Sequence, residues 1–362
     1  QTQRQHRLRI SSPCWICGSN LHLDMQASDF SYNLPESSIA QYAIEPRDAA
    51  RLLVTSNLAS HRFADLPQLL CAGDLLVVNR TRVRAARLRA VRDESLGSVE
   101  VLLTKRVDEE RWEALFRPAR RIRTGVTLKA GDISIEVLGD PTLGVATVRL
   151  GASGDLEAAI AESGEIPLPP YFHGALADDE RYQTMFAETI GSAAAPTSAL
   201  HFTPKVVADL TESGVGIVTI DLEVGLDTFR PMADGWVADH LIHREAFSVS
   251  AQTAAAVNAT RSRGSRVIAV GTTVVRTLET AVGPDGNLRA MTGESDLFIV
   301  PGFQPRLVDA MITNFHAPQT TLIVMIAAFL GNRWRNVYDH ALAENYRFLS
   351  FGDSMFIDKF VR

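Results

Sequence analysis

Two hydrophobic rhythms divide this chain, and one layer architecture cannot hold both. From 83 to 150 the apolar residues come in short runs (98–104, 112–116, 126–128, 133–138 and 145–150) separated by Gly, Asp or Arg turns. Strands recurring roughly every ten residues with little helix between them build a small barrel or sandwich. After 150 the rhythm changes. Helical stretches at 154–162, 204–213, 250–263, 273–281, 322–329 and 335–344 alternate with apolar strands at 216–221, 266–271 and 310–314. That alternation predicts α/β architecture around a largely parallel sheet. A Gly73-Asp74 turn feeds one more buried strand, at 75–79, ahead of the barrel segment. The chain reads as a discontinuous α/β (Rossmann-like) domain with an inserted small β-barrel domain. The α/β part is expected at 25–78 and 156–362, and the barrel at 79–155.

Residues 1–24 match neither rhythm. They are basic and polar without periodicity and lack the apolar core of a secretory signal. They read as a non-native or poorly ordered extension before Met25. Within them Cys14 and Cys17 form a CxxC, but no second half of a zinc site follows. Three cysteines in 362 residues argue against a disulfide framework and for a reducing cytoplasm. The longest apolar stretch, 321–330, is about half of what a membrane-spanning helix needs, so no membrane partner is expected.

The net charge of −6 is unevenly spread. Residues 80–129 hold fourteen Lys/Arg against seven Asp/Glu, leaving −13 for the rest. Such polarity suits a polyanion on one face of the barrel, because phosphate neutralisation supplies most sequence-independent affinity. Arg80, Arg82 and Arg84 alternate, so a strand would present them on one face. Arg117, Arg120 and Arg121 form a second group. A salt-bridged, solvated barrel surface is the competing reading of the same residues.

Four stretches of the α/β part join reactive side chains to small residues. Residues 191–203 include Thr197, His201 and Phe202. Residues 223–231 include Gly225, Thr228, Phe229 and Arg230, directly after a strand, where ligand crevices of α/β sheets lie. His240 and His243 follow, with Glu245; with converging side chains they would imitate a metal triad, though no metal is expected. Gly271-Thr272-Thr273 opens a helix whose backbone N–H groups can hold an anion such as a carboxylate. Asn314-Phe315-His316 ends a strand ahead of an apolar helix.

These stretches resemble the S-adenosylmethionine:tRNA ribosyltransferase-isomerase family of queuosine biosynthesis. The resemblance runs from 29 to about 357. It is carried by 29–35, 73–83, Arg117-Pro118, 166–171, 181–184, 195–197 with 200–203, Gly225 with 228–231, and His240, His243 and Glu245. Further matches are 271–273, 276–279, 313–316, 346–348 and Gly352-Asp353. It implies an α/β domain interrupted by a small β-barrel. It implies a ribosyl transfer from S-adenosylmethionine, a co-substrate, to a 7-aminomethyl-7-deazaguanine at the tRNA wobble position. Epoxyqueuosine is the product, and adenine and methionine are released. No bound cofactor is implied; the partner is tRNA through its anticodon stem-loop, and the protein is expected as a monomer or homodimer.

The reaction requires proton transfer, a hold on the methionine carboxylate and a stacking face for the nucleobase. His201, His243, Glu245 and His316 are the candidates for proton transfer. Gly271, Thr272, Thr273 and Arg276 are candidates for the carboxylate, and Phe202, Phe229 and Phe315 for stacking. Thr197, Gly225, Thr228, Arg230 and Asn314 complete the expected substrate contacts, and the six arginines the RNA contacts. The chain departs from the family at Arg80, Glu223 and Asp227, where Asp, His and Gly are usual. Those departures motivate an alternative: a divergent S-adenosylmethionine-dependent enzyme with a different, small-molecule acceptor.

Overall fold

The computed structural model describes residues 25–361 apart from 93–96, 175, 177 and 226–229. The CxxC and the rest of 1–24 lie outside the described residues, as do Asp227, Thr228 and Phe229. Before the insertion come β1 (Arg51–Val54), β2 (Ala59–Arg62) and β3 (Leu75–Asn79). Then follow β4 (Thr81–Val83), β5 (Arg87–Arg92), β6 (Ser98–Arg106), β7 (Arg111–Arg117), β8 (Thr127–Ala130), β9 (Ile133–Val137), β10 (Val145–Gly151) and β11 (Gly164–Glu165). After them come β12 (Thr189–Ser192), β13 (Gly216–Leu222), β14 (Glu245–Val249), β15 (Val267–Val270), β16 (Met291–Ser295), β17 (Ala310–Asn314) and β18 (Ser354–Ile357). The helices are α1 (Leu66–Leu69), α2 (Leu156–Ser163), α3 (Pro204–Glu212), α4 (Ala251–Ser262), α5 (Thr272–Ala281), α6 (Thr321–Leu330) and α7 (Arg333–Ala343).

The two rhythms become two cores. The large sheet runs β16-β14-β13-β3-β15-β17-β18-β1-β2, with β13, β3, β15 and β17 mutually parallel. Every residue of β3, β15 and β17 is buried. A strand covered on both faces needs a continuous apolar run, which Leu75, Leu76, Val77 and Val78 supply. One face carries α4, α5, α6 and α7; Val77, Ala269 and Met311 point into that core. The opposite face packs α1 and α3 over Leu76, Val78, Ile268 and Ile312.

The barrel strands alternate instead. In β7, Trp112, Ala114 and Phe116 are buried while Arg111, Glu113 and Arg117 are exposed, the period of two that a closed sheet with one dry face demands. Its order is β5-β6-β7-β10-β9-β8, closed by Val91 opposite Lys129 and Arg92 opposite Leu128. The six barrel strands thus lie between Arg87 and Gly151, with β11 added at the β5 edge. The sequence reading gives α2 to the α/β part, but its Ile160 sits in the barrel core with Leu88, Ile135 and Leu150. An amphipathic stripe says that a helix covers something, not which core it covers. Likewise β4 leaves the barrel and pairs in parallel with β12, a two-stranded strap joining barrel to sheet.

Local chemistry sets the helix starts. Asp155, Thr203, Ser250 and Thr320 each accept a backbone N–H of the first turn of α2, α3, α4 and α6. Helix α5 differs. Its cap is Gly271 at φ +97°, which offers no side chain and uses a backbone region that favours glycine. Among the described residues no helix is long and apolar enough to cross a membrane.

Candidate active site

The carboxyl ends of β13, β3, β15 and β17 open into one crevice, the usual ligand position in an open α/β sheet. Its inner chamber is lined by Thr197, Ser198, the Gly271–Thr273 turn, Asn314, His316 and Leu322. An outer cleft lies between sheet and barrel; Gly225, Arg230, His243 and Glu245 line one wall and Arg84, Arg106 and Trp112 the other. A side pocket shares Leu322 with the chamber, and Arg230, His243 and Glu245 with the outer cleft.

Asn314 organises the chamber floor. Its Oδ1 accepts from Thr197 Oγ1 at 3.0 Å and Ser198 Oγ at 3.2 Å, and its Nδ2 donates to His201 Nε2 at 3.4 Å. His201 therefore lies behind Asn314, against Arg47, Arg181 and Arg347, rather than in the chamber. Burial first, and then the charges of Arg181 and Arg347, push its pKa down to about 3. His316 does line the chamber, with Nε2 3.0 Å from Thr313 Oγ1. Burial pushes it down to about 3 as well. Both rings are neutral at pH 7 and are weak bases. Both rings are tied into the floor, His201 to Asn314 and His316 to Thr313.

The N-terminus of α5 supplies polarity without charge. Gly271 brings no capping group, Thr272 and Thr273 face the chamber, and Thr273 Oγ1 is buried with no hydrogen-bond partner. A buried hydroxyl beside a helix N-terminus is suited to an anionic ligand group.

Arg276, expected to hold a carboxylate, is already committed. Its Nη1 pairs with Glu245. Its Nε donates to the Leu297 carbonyl at 3.1 Å, and Nη2 to those of Ser295 at 3.0 Å and His243 at 3.2 Å. Glu245 also accepts the Gly225 N–H at 3.1 Å. The pair buttresses the loops carrying Gly225 and His243. His243 itself is exposed on the cleft wall. His240, on the side pocket, has its pKa lowered by burial and then by His243. Among the described residues no three His, Cys, Asp or Glu side chains cluster as a metal site.

Of the expected stacking rings, Phe229 lies outside the described residues, Phe202 lies away from the chamber, and Phe315 borders it from within an aromatic cluster. Phe202 is fully buried against Phe63 and Phe186. Phe315 is enclosed by Tyr338, Tyr346 and Phe348. Phe202 is core packing, while Phe315 is a packed ring that also borders the chamber.

The two arginine groups also separate. Arg80 makes a two-nitrogen contact to Asp221 and reaches Glu188; Arg82 pairs with Glu180 and Arg84 with Glu157. Arg117, Arg120 and Arg121 are exposed at one end of the barrel and, among the described residues, make no ion pair. Glu223 is open to the cleft. Crowding by protein raises its carboxyl pKa, opposed by Arg84, Arg106 and Lys105 across the gap.

Sequence reasoning missed Tyr171, Ser350 and Leu349 in the chamber wall. Tyr171 Oη and Ser350 Oγ lie 2.5 Å apart. Leu349 has φ +69°, held by its N–H on the Phe315 carbonyl and its carbonyl on the Gly352 N–H. Nothing in a leucine announces a left-handed backbone; residues 171 and 349 meet only through the fold.

Comparison with known proteins gives consistent matches. The family model described as "Queuosine biosynthesis protein" matches residues 27–357. A relative in Symbiobacterium thermophilum, named S-adenosylmethionine:tRNA ribosyltransferase-isomerase, is 45% identical over 340 residues, covering 92% of this chain and 100% of the relative. A relative of the same name in Moorella thermoacetica is 45% identical over 341 residues, with the same coverage. A crystal structure of S-adenosylmethionine tRNA ribosyltransferase from Thermotoga maritima is 34% identical, spans 91% of this chain and 100% of its own, and gives a TM-score of 0.53.

Proposed function

The chain belongs to the queuosine biosynthesis protein family, and on that premise we propose that it is an S-adenosylmethionine:tRNA ribosyltransferase-isomerase. It moves the ribosyl moiety of its co-substrate, S-adenosylmethionine, to 7-aminomethyl-7-deazaguanine at the tRNA wobble position. The products are epoxyqueuosine, adenine and methionine. The observation that carries this reading is identity of 45% across the full length of relatives bearing that name. The alternative of a different acceptor finds no support among them.

The crevice supplies what the chemistry asks for. The sulfonium acidifies the ribose C5′ hydrogens, so a base can remove one; adenine then departs, the amine attacks, and epoxide closure expels methionine. The α5 N-terminus with the Thr273 hydroxyl supports a methionine carboxylate in the chamber. With His201 and His316 neutral in the floor and Glu245 held by Arg276, His243 on the cleft wall is the group assigned to proton transfer. The anticodon stem-loop meets Arg117, Arg120 and Arg121. The expected setting is the cytoplasm, as a monomer or homodimer.

The test is turnover with S-adenosylmethionine and tRNA carrying the aminomethyl-deazaguanine, scoring free adenine and the mass of the tRNA. Adenine release with a ribosyl-derived mass gain is expected. S-adenosylmethionine binding without any mass gain on the tRNA would overturn the acceptor.

A further inference from the structure

The side pocket adds an aromatic ring and a histidine edge beside the chamber. The chamber joins Thr197, Ser198, Thr272 and Thr273 to apolar walls that include Phe315 and Leu349. The side pocket joins Ile242, Phe298, Ile299, Leu322 and Met325 to charged groups, with His240 among its lining. The His240 ring meets Phe298 edge-on, 5.9 Å between centroids and at 64°. The buried Arg276–Glu245 pair closes one side.

We propose that this pocket is the purine subsite of the S-adenosylmethionine site, with the adenine ring against Phe298 and its polar edge toward His240. The proposal rests on the reaction assigned above. Leu322 borders both cavities, which places them on either side of one side chain, and the proposal sets one ligand across it. The methionine end then faces the α5 N-terminus and the adenine end faces Phe298. The ribose between them lies beside His243 and the outer cleft, where an acceptor base enters. Flat apolar walls suit a heterocycle, and aromatic contact contributes to holding one. One nitrogen of the His240 ring can hydrogen-bond to a single polar group on adenine's edge.

Product inhibition of the full-length enzyme tests this, with free adenine and free methionine as separate inhibitors of turnover. His240→Ala and Phe298→Ala should each raise the adenine inhibition constant about tenfold or more. The methionine constant should stay within about twofold, since one subsite changes and the other does not. A variant whose melting temperature falls is replaced by Phe298→Leu, which keeps apolar bulk and removes the ring face. Unchanged adenine inhibition in the variants overturns the subsite, as does equal weakening of both products. If the unmodified protein binds no S-adenosylmethionine, the reaction assignment itself fails, and this inference with it.

Discussion

The crevice floor and the outer end of the barrel handle charge in opposite ways. In the floor, His201 and His316 are held neutral by burial and Arg276 is cancelled by Glu245. At the barrel end Arg117, Arg120 and Arg121 face water without an ion pair among the described residues. The strap arginines follow the floor, since Arg80, Arg82 and Arg84 are matched by Asp221, Glu180 and Glu157. A positive stretch of sequence is therefore not a positive surface. Only cations left unpaired by the fold can exchange counterions for phosphates.

Breaking the cancelled pair should have the largest effect. Arg276→Ala strands a buried carboxylate and releases the carbonyls of residues 243, 295 and 297, at a cost of about 3–5 kcal/mol in urea unfolding. A loss under about 1 kcal/mol would show that the floor does not depend on this pair. Acid probes the histidines next. Each has a folded pKa of about 3, below the ordinary 6.5, so the unfolded chain binds the proton more readily. Stability is full above pH 6.5 and falls as pH drops from there toward 3, by about 2 kcal/mol per histidine at pH 5. His316→Asn should flatten that slope by about one histidine's share. An unaltered slope would mean that the ring is charged in the folded state.

The exposed side of the comparison is sharpened by joint replacement of Arg117, Arg120 and Arg121 with Ala. Thermal stability should be unchanged, while tRNA affinity falls roughly tenfold to a hundredfold and the salt dependence becomes shallower by up to about three ions. Unaltered tRNA binding would remove the barrel end from the interface. Arg80→Ala is the smallest change. A half-exposed pair contributes at most about 1 kcal/mol, and tRNA binding should move less than in the triple variant. A larger loss of tRNA binding here would reverse the ranking of the two arginine groups.

Much of this was legible in the sequence, for local reasons. The change of rhythm marked the barrel, and Gly271 with its threonines marked an open helix end. What stayed hidden depends on distant partners. Arg80 reads as free until Asp221, 141 positions away, is placed beside it. Phe202 follows a polar motif and looks like a ligand face, yet packing turns its ring against Phe63 and Phe186. The depressed pKa values of His201 and His316 come from burial that no local window contains.

Strand β18 lies between β17 and β1, with Ser354 opposite both Asn314 and Leu52. Strands β1 and β2 are thus made early by the ribosome but gain their place in the sheet only when residues 354–357 emerge. The barrel has no such dependence, because its strands pair within a short span of chain. A nascent chain arrested ahead of residue 354 should therefore show a protease-resistant barrel beside an open sheet, and the enzyme's crevice should be among the last parts to become complete.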